Sequence, residues 1–123
     1  MGRPVTLLKS TTALLTIMGA LSFTPQIALS ADASVVKAGK KIAFDRKKGN
    51  CLACHQISGG DLAGNIGPPL IAMKARFPEK AKLRAQIYNA SKLNKNTMMP
   101  PFGRHNILSD SEIDKVVEFI YSL

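Results

Sequence analysis

Cys51-Leu52-Ala53-Cys54-His55 carries the most specific chemistry in this chain. Two thiols three positions apart, followed at once by an imidazole, form the C-x-x-C-H pattern through which haem is attached to a polypeptide. The spacing has a physical reason. Thiols about one helical turn apart can each add to a vinyl group on the same edge of one porphyrin, and the adjoining imidazole then addresses the iron from one face. Covalent attachment also prevents haem loss from a domain too small to enclose the ring. Two other chemistries use paired thiols. A structural zinc site needs four ligands, yet beyond His55 the chain offers only His105 and no third cysteine. A thioredoxin-like redox pair belongs in a βαβ setting, for which the sequence has no pattern. One motif predicts one haem c.

A second axial ligand would come from the rest of the chain. Thioether sulfur paired with histidine is a standard arrangement and raises the reduction potential. Downstream of residue 30 the candidates are Met73, Met98 and Met99, with His105 as an outsider. Met98-Met99-Pro100-Pro101 falls in a long loop, where a side chain can reach back over the haem. The prolines that follow Met99 stiffen its approach, so Met99 is the expected ligand and Met98 the alternative. Met73 sits in a short helical segment and reads as a core gap-filler. The second ring nitrogen of His55 needs an acceptor too, and a carbonyl within Gly67-Pro68-Pro69 could supply it or could simply belong to a stiff turn.

The elements that must position these residues are helices and loops. Val35 to Lys48 has apolar residues at near-helical spacing and Gly49-Asn50 to end it. Ser58 to Pro69 holds four glycines and two prolines, hence a loop. Leu70 to Phe77 predicts a short helix before Pro78, and Glu79 to Ala90 another. Ser91 to Leu108 reads as an extended loop. Ser109-Asp110-Ser111-Glu112 is a capping box, and Ile113, Val116, Val117 and Ile120 follow on one helical face. Nothing reads as a strand, so the domain is expected to be all-α.

The chain has 123 residues, and its opening reads as an export signal. Arg3 and Lys9 precede a mostly apolar run from Ala13 to Phe23, then Pro25 and small residues at Ala28, Ser30, Ala31 and Ala33. This order of charged, apolar and small-residue regions predicts a cleaved signal peptide over residues 1–30, with Ala31 or Ala33 as other possible boundaries. The apolar run is shorter than the roughly 20 residues of a spanning helix, so no permanent membrane anchor is expected. The mature domain would be residues 31–123. Without Arg3 and Lys9, 15 of the 17 basic side chains remain against 8 acidic ones, a net of +7. So small a domain needs a staple, and a bridge between Cys51 and Cys54 would close almost no loop. Haem is the staple this sequence offers. The basic excess favours acidic partners. Nucleic acid is not among them: the lysines are scattered and no binding motif is present. Arg76, Arg84 and Arg104 are candidates for pairing with haem propionates.

With these residues in place, the chain resembles class I cytochromes c across the whole mature region. The resemblance rests on Gly39 in a first helix, Cys51 to His55, Gly67-Pro68-Pro69-Leu70, Met99-Pro100, and Phe119 in a last helix. It implies a small all-α fold in which the first and last helices cross where Gly39 admits Phe119, and in which the Pro68 carbonyl accepts from the ligand imidazole. A narrower resemblance is carried by Phe44 to His55, Met73-Lys74-Ala75-Arg76-Phe77-Pro78 and Met99 to Leu108. These are similar to segments of the sulfur-oxidation (Sox) cytochrome X subunits. That resemblance implies a periplasmic subunit paired with the Sox A cytochrome, acting on thiosulfate and the Sox YZ carrier. The chemistry would lie at the A subunit and this subunit would pass electrons to a downstream acceptor. No catalytic residue of its own is expected. The other reading is a freely diffusing monohaem shuttle between respiratory complexes.

Overall fold

The computed structural model describes residues 1–2 and 32–123. The expected signal peptide and its cleavage point lie almost wholly outside the described residues. Four helices carry the fold: α1 (Ala33–Phe44), α2 (Met73–Arg76), α3 (Lys80–Tyr88) and α4 (Asp110–Tyr121), with single 3₁₀ turns at Cys51–Ala53 and Ala90–Lys92. No strand occurs among the described residues, and the all-α expectation holds. None of the described helices is long and apolar enough to cross a membrane.

α1 and α4 form the centre of the molecule. α4 starts as its sequence dictates: Ser109 Oγ accepts from the Glu112 amide, and the Glu112 carboxylate accepts from the Ser109 amide at 3.0 Å. It buries Ile113, Val116, Val117, Phe119 and Ile120, each contributing about 1.5–3 kcal/mol if fully removed from water. α1 begins on an Asp32 cap, whose carboxylate accepts from the Ser34 amide at 2.8 Å. The helices meet at Gly39, where a Cβ would strike the Lys115 carbonyl and stand 2.9 Å from Cβ of Phe119. Only glycine lets the backbones approach this closely. Phe44 completes the contact, its ring edge-on to Phe119 at 5.7 Å.

α1 is shorter than its periodicity predicts, ending at Phe44 rather than Lys48. The Asp45 carboxylate takes the Lys47 amide at 2.8 Å, and the chain folds back so that the Gly49 amide donates to the Ile42 carbonyl. A side chain competing for backbone donors ends the helix. The helix expected over Leu70 to Phe77 is one turn, because Ala72 adopts φ 49°. The α3 boundaries lie within two residues of the expected ones. α3 is strapped to α4 by Arg84, which pairs with Asp110 (2.8 Å) and Asp114 (2.6 Å), and by Lys80 with Glu118 (2.9 Å). Arg84 is thereby committed to carboxylates of α4.

Candidate haem site

Residues 51–70 form a folded-back loop whose backbone aims one imidazole. Asn50, at φ 46° and ψ 35°, turns the chain into the Cys51–Ala53 3₁₀ turn. The Cys54 amide donates to the Cys51 carbonyl at 3.3 Å, so the two cysteines stand one turn apart. The His55 amide closes the turn on the Cys51 carbonyl at 2.9 Å. The following loop then returns along the motif. Gly64 donates to Leu52 (2.7 Å), Gly67 to Cys54 (2.8 Å) and Leu70 to Gln56 (2.9 Å), backbone to backbone.

This return brings the Pro68 carbonyl 2.8 Å from Nδ1 of His55. A carbonyl can only accept, so Nδ1 is the donor here and Nε2 is the nitrogen left to ligate a metal. Gly67 makes room for the ring: a Cβ there would sit 2.6 Å from Nδ1. Arg76 holds the carbonyl strand from behind, its guanidinium donating to the Pro69 carbonyl at 2.7 Å. Sequence reasoning offered Arg76 as a propionate partner and did not see this role, because a contact from a side chain to a distant carbonyl leaves no trace in spacing.

Cys51 and Cys54 are half-buried and are not bridged to each other. Burial pushes the Cys51 thiol up to about 11.

The loop from Thr97 to Leu108 separates the methionines. Met98 is 76% exposed, whereas Met99 is half-buried and packs on the core. The Met99 amide donates to Thr97 Oγ1 at 3.2 Å, and its sulfur lies 3.8 Å from Gln86 Nε2 on α3. Beyond Pro101, the Gly103 and Arg104 amides both donate to the Tyr88 carbonyl, at 3.1 and 3.3 Å, fastening the loop to the end of α3. Met73 is fully buried, as a gap-filler should be, and His105 is exposed at the surface.

The cytochrome c family model matches residues 36–123. The chain belongs to the cytochrome c family. Covalently bound haem c and an electron-transfer role follow from that membership. The donor set suits the group: two cysteines one turn apart, and an imidazole held at Nδ1, with Nε2 left to ligate and Gly67 leaving room for the imidazole. Haem supplies an Fe(III)/Fe(II) couple, and the chain's own residues hold, orient and shield it. This cytochrome is 29% identical to a chain in the crystal structure of SoxXA from P. pantotrophus, with a TM-score of 0.63, covering 70% of this chain and 79% of that one. An uncharacterized lipoprotein of Aquifex aeolicus (strain VF5) is 34% identical over 76 residues, 61% of this chain. The match spans 37% of that lipoprotein's length.

Proposed function

We propose that this cytochrome is the electron-accepting X subunit of a periplasmic SoxAX pair, exported by a signal peptide over residues 1–30 and mature from residue 31. The likeness to a chain of SoxXA over most of both chains carries the reading, and the segments at Phe44 to His55 and Met99 to Leu108 support it. In that role Cys51 and Cys54 carry one haem, with His55 and Met99 as its axial ligands. The reaction joins thiosulfate to a cysteine thiol of the Sox YZ carrier, releasing one proton and two electrons as the sulfur–sulfur bond forms. Catalysis belongs to the Sox A partner. A single haem takes one electron at a time, so this subunit serves twice per bond and hands each electron to a downstream acceptor.

Partner retention tests the assignment. A subunit should co-purify with a larger exported c-type cytochrome and stay with it as ionic strength rises to physiological levels, where exposed charge pairs are screened. A shuttle needs fast release and small electrostatic contacts, so elution alone at every ionic strength, with thiosulfate oxidation unchanged when the chain is omitted, would make the shuttle the better reading. The ligand assignment has its own measurement. Met99→Ala should abolish the far-red sulfur-to-iron band of the oxidised protein, and Met98→Ala should leave it.

A further inference from the structure

The basic residues of this chain avoid the segment that carries the haem motif. From Cys51 to Met73 there is no lysine or arginine, and Asp61 is the sole charged side chain. All 15 basic side chains of the mature domain lie outside that stretch. Within it, Leu62 is 90% exposed, and Ile66 and Ile71 are each 61% exposed. Scattered exposed apolar residues are ordinary on a surface, but these three share one loop system. Leu62 also stands at φ 54°, a left-handed backbone that suits asparagine or glycine and costs a leucine. Clefts open on both sides of its loop. One, of about 340 Å³, is lined by Leu52 and Ala53 of the attachment turn with Phe44, Asp61 and Leu62. The other is lined by Ile57, Ala63, Pro69 and Ile71. Asp61 has no partner, whereas every other side-chain carboxylate of the described residues is engaged: Asp32 and Asp45 by backbone amides, the rest by lysine or arginine.

We propose that the surface of residues 59–71 is the docking face for the partner cytochrome subunit. The partner covers Leu62, Ile66 and Ile71 with apolar side chains, lodges one anchor in the cleft beside the attachment turn and sets one cation against Asp61. This rests on the SoxAX reading above and says where that pair meets. An apolar face depleted of charge has the composition of an interface core, whereas a shuttle uses small electrostatic contacts. Covering a lone carboxylate is costly unless it is paired, so a lysine or arginine of the partner must answer Asp61. Leu52 and Ala53 stand between the two cysteines, so a partner seated in their cleft reaches the residues beside the redox group.

The holoprotein and the larger c-type cytochrome retained with it, each purified alone, are mixed at physiological ionic strength and their dissociation constant is measured by sedimentation. Leu62→Asn keeps a residue that tolerates the left-handed backbone, so the loop folds. It should weaken binding about tenfold, the effect of losing one interface anchor. Asp61→Lys turns a like charge on the partner's cation and should weaken binding at least as much. Lys37→Glu with Lys41→Glu, on the exposed side of α1, should change it by less than about twofold, because exposed charges are screened at this ionic strength. Binding that is lost in the α1 variant, or unchanged in both loop variants, overturns this docking face alone. So does a haem spectrum altered by Leu62→Asn, which would put Leu62 against the ring. A parent that dimerises by itself, with the dimer lost in Leu62→Asn, makes a second copy the occupant and overturns it too. A parent that binds no partner cytochrome overturns the SoxAX reading, and this one with it.

Discussion

The α1–α4 crossing and the two loops that carry His55 and Met99 hold their shape by different means. At the crossing, apolar side chains interlock and the backbone approaches to the limit that Gly39 allows. The loops of residues 51–70 and 97–108 send only a few side chains, Ile57, Phe102 and Leu108, into the core; between these anchors backbone amides find isolated carbonyls, and Leu62 (90%), Ile66 (61%) and Met98 (76%) face outward. Packing is collective and tolerates little change of volume. A loop held by single hydrogen bonds can be loosened one bond at a time. The molecule thus closes most of its core at the crossing and fastens the loops to it bond by bond.

Substitutions at the crossing should have the largest effect. Phe119→Ala removes a buried ring and should cost about 3–5 kcal/mol in denaturant unfolding of the holoprotein. Gly39→Val overpacks against backbone and should cost about 3 kcal/mol. If both variants unfold like the parent, the division drawn above is wrong.

A loop bond should act locally and less strongly. Arg76→Met removes the donor to the Pro69 carbonyl, worth about 1 kcal/mol. The Gly67 and Leu70 amides should then exchange roughly fivefold faster, while those of α4 keep their protection. Uniform acceleration in both regions would mean that the halves open together.

The smallest effect is expected at the ion pair between α4 and the turn that follows α1. The Lys48 ammonium and, next, the Ser109 amide hold the Glu112 carboxyl down at about 2, against an ordinary 4.5. Because the folded value is depressed, this contribution is present above about pH 4.5 and disappears as pH falls toward 2. Glu112→Gln should lower stability at neutral pH by at most about 1 kcal/mol, since the pair is exposed and screened, and should match the parent near pH 2. A difference that persists in strong acid would point to lost cap geometry instead of charge.

Legibility in the sequence followed the same division. α4 could be read almost residue by residue, because a capping box and a one-face apolar pattern are local signals, and packing against α1 uses the face they mark. The haem motif was legible for the same reason, five adjacent residues with one chemistry. Non-local backbone contacts were harder. The Pro68 carbonyl could be named as an acceptor for His55, yet a stiff turn explained the residues equally well until the 2.8 Å contact was seen. Arg76 was invisible as a support. It lies on a helix where exposed polar residues are ordinary, and its target, a carbonyl, is set by tertiary structure. Periodicity also carried α1 past Phe44, since it does not register an Asp45 side chain that captures the next free amide.

The meeting of Gly39 with Lys115 has a consequence for how the chain finds its fold. The two helices that form the centre lie at opposite ends of the described domain, so their contact must close a loop over residues 40–114. Closure entropy grows with the logarithm of loop length. A haem joined at Cys51 and held by the proposed Met99 ligand would bypass residues 52–98, leaving a path roughly one third as long and lowering the entropic cost of closure by about 1 kcal/mol. Haem attachment would then ease the closure that the helix crossing requires, as well as supply the redox group.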